Sequence, residues 1–79
     1  MPATLAEVKE LIEHELPGAD VSDVKEENHR IIGTIVWPKF KHMSARERNQ
    51  LVTDRVRNKL GYKILNVGFL LPLSSGDEL

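Results

Sequence analysis

The chain has 79 residues, with 11 Lys and Arg against 12 Asp and Glu, 41% hydrophobic residues and no cysteine. A chain this short supports one domain, whose core buries about 60–65% of the surface exposed on unfolding, so a deep cleft between lobes is ruled out. Without thiols there is no disulfide scaffold, no cysteine nucleophile, no Cys-based zinc site and no metal cluster held wholly by this chain's own thiolates.

The longest apolar runs are far shorter than a bilayer requires. The opening MPATLAEVKE is acidic and carries no apolar core beside basic residues. Neither a secretory signal nor a membrane association is expected, and a soluble cytoplasmic protein is the default.

The first predicted element is a helix over 4–16. Thr4 and Glu7 have the spacing of a capping box, and Leu5, Val8, Ile12 and Leu16 form one apolar stripe. Pro17-Gly18 stops it. A strand is predicted near 20–25 on Val21 and Val24, with the polar Lys25-Glu26-Glu27-Asn28 as the turn. The β-branched run from Ile31 to Trp37 predicts a second strand over 30–37, ended by Pro38. The linker between them is too short for a crossover helix, so a hairpin joins them.

An extra turn fits at Phe40–Met43. Ser44 and Glu47 form a second capping box and announce a helix over 44–60. In it Val52, Val56 and Leu60 recur every four residues, with Gly61 as the C-cap glycine. A last strand is predicted over 64–72, whose alternation puts Val67, Phe69 and Leu71 on one face. Residues 74–79 read as a flexible tail after an ordered core of about 4–73. The whole predicts a single α+β domain of order α-β-β-α-β, with both helices on one face of a three-stranded sheet.

The net charge of −1 conceals a polarised chain. Residues 1–38 carry −5, residues 39–63 carry +6 and the last sixteen carry −2. A basic second helix suggests an anion-facing or nucleic-acid-facing surface, or else a solvated helix lying beside the acidic first one. At 100° per residue, Arg48, Arg55 and Lys59 fall within about 40° on one edge of the apolar arc, with Arg46 and Arg57 on the other. With Lys39, Lys41 and His42 just upstream, these are the candidate nucleic-acid or partner-binding residues.

Three histidines are the candidates for metal ligation. His14 sits on the polar side of the first helix, His42 precedes the second, and His29 lies at the hairpin turn as the candidate ligand. No pair has helical metal-ligand spacing, the serines read as turn, cap and tail residues, and the glycines are isolated. An enzyme is not expected.

The element order and one stretch of sequence resemble the BolA family, whose fold is related to the class II KH fold. Ile35-Val36-Trp37-Pro38-Lys39-Phe40 is similar to the family's strand end and its Phe. Ser44 and Arg48 fall at a family Ser and the first Arg of an Arg-His-Arg triplet, and Val52 and Leu60 continue its helix. Leu11-Ile12, Leu16-Pro17 and Asp20-Val21 suit its first helix and strand. The likeness runs over about residues 5–73. The chain departs from the pattern at His42, where the family has Gly, and at Asn49-Gln50, which replace His-Arg. Leu65 or Asn66 stands where the last strand of the family carries a cluster-ligating His.

The resemblance implies an adaptor that binds a monothiol glutaredoxin-like protein in iron–sulfur cluster handling, or a DNA-binding regulator acting through the basic helix. It also implies a 2Fe-2S cluster shared with that partner, toward which His29 is the remaining match in the hairpin loop. With no strand His, a cofactor-free complex is the expectation, and the chain alone should hold no cofactor. A third reading is a small assembly protein whose exposed sheet face or edge strand joins another chain. A monomer or weak homodimer is consistent with all three.

Overall fold

Thr4 opens the first helix, α1 (Leu5–Glu15), in the computed structural model, which describes residues 3–74. The Glu7 N–H donates to Thr4 Oγ1 (3.1 Å) and the Thr4 N–H donates to Glu7 Oε1 (3.0 Å), so both members of the capping box are satisfied. Val8, Ile12 and Leu16 are buried along one stripe, and Leu5 and Leu11 pack against its edge.

The strand predicted over 20–25 is not there. Asp20 makes one antiparallel bridge with Val36, after which its Oδ1 accepts from the Ser22 N–H (2.8 Å) and turns the chain. Residues three apart on a strand would face opposite ways, whereas this turn sends Val21 and Val24 both into the core. The strand β1 is Lys25–Glu27, the segment read as the turn, and the hairpin turn is Asn28-His29. Both turn residues have positive φ (52° and 66°), as a two-residue loop matched to strand twist demands.

β2 (Arg30–Val36) occupies the centre of the sheet, antiparallel to β1 on one side and parallel to β3 (Val67–Leu73) on the other. Ile31 and Ile35 are wholly buried on the helix-covered face, while Ile32, Thr34 and Val36 are half-buried on the other. At Gly33 (φ +147°) the backbone of residues 23–24 crosses the strand. A Cβ there would collide with the Asp23 carbonyl oxygen and lie 2.6 Å from the Val24 Cα.

Pro38–His42 forms a 3₁₀ turn, slightly earlier than the extra turn anticipated at Phe40–Met43. Phe40 is fully buried, edge-to-face with Trp37 at 5.2 Å. The Trp37 indole N–H donates to the Pro17 carbonyl (2.9 Å), which ties the end of α1 to the end of β2. Burying a side chain such as Phe40 contributes about 2–3 kcal/mol.

The helix predicted over 44–60 has three parts: α2 (Ala45–Val52), a π-helical turn (Thr53–Arg57) and α3 (Asn58–Leu60). Ser44 and Glu47 form the second capping box. Val52, Val56 and Leu60 are all buried, at the same spacing in fours as Val8, Ile12 and Leu16 on α1. Between Val52 and Leu60 the Asn58 N–H donates to Thr53 O, which marks the wider π turn.

Residues 64–66, predicted to open the last strand, belong instead to a 3₁₀ segment, Gly61–Asn66. The alternation expected in the strand also breaks. Ile31 pairs with Val67 but Gly33 pairs with Leu70, so β3 carries an extra residue in a bulge. The bulge inverts the pattern after Val67: Leu70 and Pro72 turn inward, and Phe69 and Leu71 are exposed.

Two arginines reach the outer edge of β3. The Trp37 N–H donates to the Leu73 carbonyl (2.9 Å), so the neighbouring Pro72 carbonyl faces the outer edge of β3. Arg48 Nη1 donates to that carbonyl (3.4 Å) and Arg57 Nη2 donates to the Gly68 carbonyl (2.8 Å). Pro72 itself has no N–H to offer there. Two carbonyls on the free edge of β3 are therefore met from the second helix. Ser74, assigned to the tail, is buried beyond the strand, and the rest of that tail, residues 75–79, lies outside the described residues.

Gly33→Ala should destabilise the protein by about 2–4 kcal/mol, because relief of the clash must move backbone rather than a side-chain tip. Urea denaturation measures this, and a loss below about 0.5 kcal/mol would contradict the close approach.

Candidate partner-binding surface

Gly61, at φ +59°, ends the helix and starts the 3₁₀ segment that returns the chain to β3. No residue of Gly61–Asn66 is buried. Tyr62 is 71% exposed, Ile64 36% and Leu65 88%, and Phe69 (66%) and Leu71 (37%) continue the series into β3. Among the described residues, every large hydrophobic side chain that is exposed lies in this ten-residue stretch. Scattered apolar residues on a surface carry no message, whereas such a concentration in one stretch makes it the candidate interaction surface.

Polar contacts hold the segment in place of packing. Asn66 Oδ1 accepts from the Ala3 N–H (3.1 Å) and Asn66 Nδ2 donates to the Ala3 carbonyl (2.8 Å). The Ala3 N–H also reaches the Lys63 carbonyl (3.4 Å). Lys63 Nζ pairs with Glu7 Oε2 at 2.8 Å, a contact that holds the Glu7 carboxyl below its ordinary range and raises the Lys63 ammonium above its own. Of the two positions that the resemblance sets against a strand His, Leu65 points to solvent and the Asn66 carboxamide is taken up by Ala3.

The basic residues do not form the two edges read from the helical wheel. The π turn re-phases the helix, so Arg48 groups with Arg57 against β3 and Arg55 groups with Lys59 against α1. Arg48 also donates from Nε to the Met43 carbonyl (3.1 Å), its guanidinium 6.0 Å from the Phe40 ring centre. Arg55 and Lys59 lie 3.9 and 3.4 Å from the Glu15 carboxylate, whose side chain is 8% exposed. The His14 hydrogen bond, then desolvation working against it and Lys59 with it, leaves the Glu15 carboxyl below its ordinary range.

Lys39, Lys41, His42 and Arg46 remain exposed on the 3₁₀ turn and the start of α2, with Lys39 5.4 Å from the centre of the Trp37 ring. Arg46 also borders a groove of about 410 Å³ on α2, with Met43 and Leu51 as its apolar part. His29 is exposed at the hairpin tip. Among the described residues no three His, Asp or Glu side chains gather as a metal-ligand group.

No match emerges from family models, curated proteins or solved structures. Sequence reading missed the surface centred on Leu65 and Phe69, because it placed residues 64–72 in one regular strand. The available signal was Ile64-Leu65, adjacent apolar residues that a strand with one covered face cannot both bury.

Glu7 and Glu15 both have depressed folded values, so their contribution to stability is complete above pH about 4.5 and is lost as pH falls through those values. Lys63 contributes below its ordinary 10.5 and loses that contribution as pH rises through its raised value. Carboxyl NMR titration should place the Glu7 and Glu15 midpoints below 4.5, and Glu7→Gln should flatten the acid limb of the stability curve. A midpoint at or above 4.5 for Glu7 would contradict the ion pair.

Proposed function

We propose that this chain is a BolA-like adaptor that docks a monothiol glutaredoxin-like protein through residues 62–71, without a cluster ligand at the start of its last strand. The exposure of Tyr62, Leu65 and Phe69 within one short stretch is the observation that carries this reading. The element order and the mixed three-stranded sheet support it as well. Apolar side chains flanked by the Lys63–Glu7 pair make a surface suited to a protein rather than to a small ligand.

His29 is the imidazole that the resemblance offers to a shared 2Fe-2S cluster. A single exposed ligand with no partner fixing its ring holds a metal weakly, so the complex we propose is cofactor-free. Titration calorimetry with a cofactor-free monothiol glutaredoxin should give a micromolar complex. Leu65→Asp and Phe69→Asp should each weaken it by about tenfold or more, a change of about 1.4 kcal/mol, with the circular dichroism spectrum unchanged. Absence of binding by the unmodified protein ends this reading.

The exposed group Lys39, Lys41, His42 and Arg46 favours a second reading, a nucleic-acid-binding regulator. Arg48, Arg55, Arg57 and Lys59 have intramolecular partners, which leaves Lys39, Lys41 and Arg46 as the cations of this group for phosphate. Duplex DNA binding would then show a slope of log K against log salt of about −3. Lys41→Ala should lower that slope by about one unit and Arg57→Ala should leave it unchanged. A slope near zero, or no binding at about 50 mM salt, excludes the second reading.

A further inference from the structure

The Gly61–Asn66 segment carries Tyr62, Ile64 and Leu65 outward yet buries none of its own residues. Its conformation must therefore come from elsewhere. The polar links from this segment converge on one short stretch at the start of the chain. Ala3 supplies its N–H to the Lys63 carbonyl and to Asn66 Oδ1, and its carbonyl to Asn66 Nδ2, and Glu7 takes the Lys63 ammonium. A carboxamide presents an acceptor and a donor in one plane, and can bond the N–H and C=O of a single residue as a neighbouring strand would. Aspartate has no donor, and leucine or alanine has neither group. Ala3 is itself 4% exposed, so the residue being gripped is fixed in the core.

From this geometry we infer that Asn66 is a positioning residue: by clamping the backbone of Ala3 it holds the Gly61–Asn66 segment in the form that presents Leu65 to a partner. The link to a partner rests on the docking surface proposed above, whereas the clamp itself is a property of the free protein. Binding at Leu65 is thereby coupled to Ala3, which precedes α1 and is buried rather than part of the apolar surface.

The test uses the full chain, with Asn66→Ala, which removes both hydrogen bonds, and Asn66→Asp, which keeps the acceptor alone. In the free protein, amide exchange of residues 61–66 should accelerate by about tenfold in Asn66→Ala and by less in Asn66→Asp, with the exchange of β2 unaltered. Affinity for a cofactor-free monothiol glutaredoxin should fall by about fivefold or more in Asn66→Ala. That loss should vanish when Leu65→Asp is already present, because the two changes act on one surface.

Unchanged exchange in residues 61–66 overturns the clamp, and acceleration spread evenly through β2 reduces Asn66 to general stability and overturns its positioning role. Loosened exchange with an unchanged glutaredoxin affinity also overturns that role. Should the unmodified protein fail to bind the glutaredoxin, the proposed function falls while the exchange measurement still decides the clamp.

Discussion

Pairing β3 parallel to β2 is the constraint from which the rest of this small structure follows. Parallel neighbours cannot be joined by a tight turn, so the chain must cross over and return to the same end of the sheet. Residues 38–66 make that journey: a 3₁₀ turn seats Phe40, a helix crosses the covered face, and a second 3₁₀ segment brings the chain back. The crossover helix has to bury Val52, Val56 and Leu60, spaced at fours, over a sheet only three strands wide. A π turn at Thr53–Arg57 re-phases that helix, and Arg48 before it and Arg57 at its end both reach carbonyls of β3.

Local rules written into a few adjacent residues were legible from the sequence. Both capping boxes, the buried stripe on α1, the β2 run and the glycine at 61 appear as the residues specify. What could not be read lay in how the backbone turns and in which strand residues pair. The Asp20 side chain captured a backbone N–H and converted a candidate strand into a turn. The two positive φ values at Asn28 and His29 moved the hairpin turn two residues onward, and only the strand pairing reveals that requirement. The bulge opposite Ile32 reversed the inward face of β3, and periodicity within β3 alone contains no sign of it.

The candidate site shows the same division. The eight basic or imidazole residues singled out along 39–59 are real surface features at Lys39, Lys41, His42 and Arg46. Arg48 and Arg57 instead reach two carbonyls of β3, and Arg55 and Lys59, though exposed, lie beside the Glu15 carboxylate. The acidic first half and basic middle of the chain are thus partly two sides of one set of contacts. Lys59 and Lys63 tie the basic segment to Glu15 and Glu7 at opposite ends of α1. A polarised sequence of this sort describes how two helices are held together as readily as it describes what they bind.

The arginines along the rim of β3 have a consequence for how the protein behaves among its own copies. An unpaired strand edge is an indiscriminate template, since its hydrogen-bonding groups accept another strand of almost any sequence, and fibrils grow by that route. Here Arg48 and Arg57 occupy outward carbonyls, Pro72 withholds an amide, and the opposite edge is only the short, charged Lys25–Glu27. What stays adhesive is a surface of side chains around Leu65 and Phe69. Such a surface rewards a partner of matching shape and gives nothing to a generic β-strand. Strand addition at either edge of the sheet thus meets an arginine, a proline or a charged side chain before it meets an apolar one.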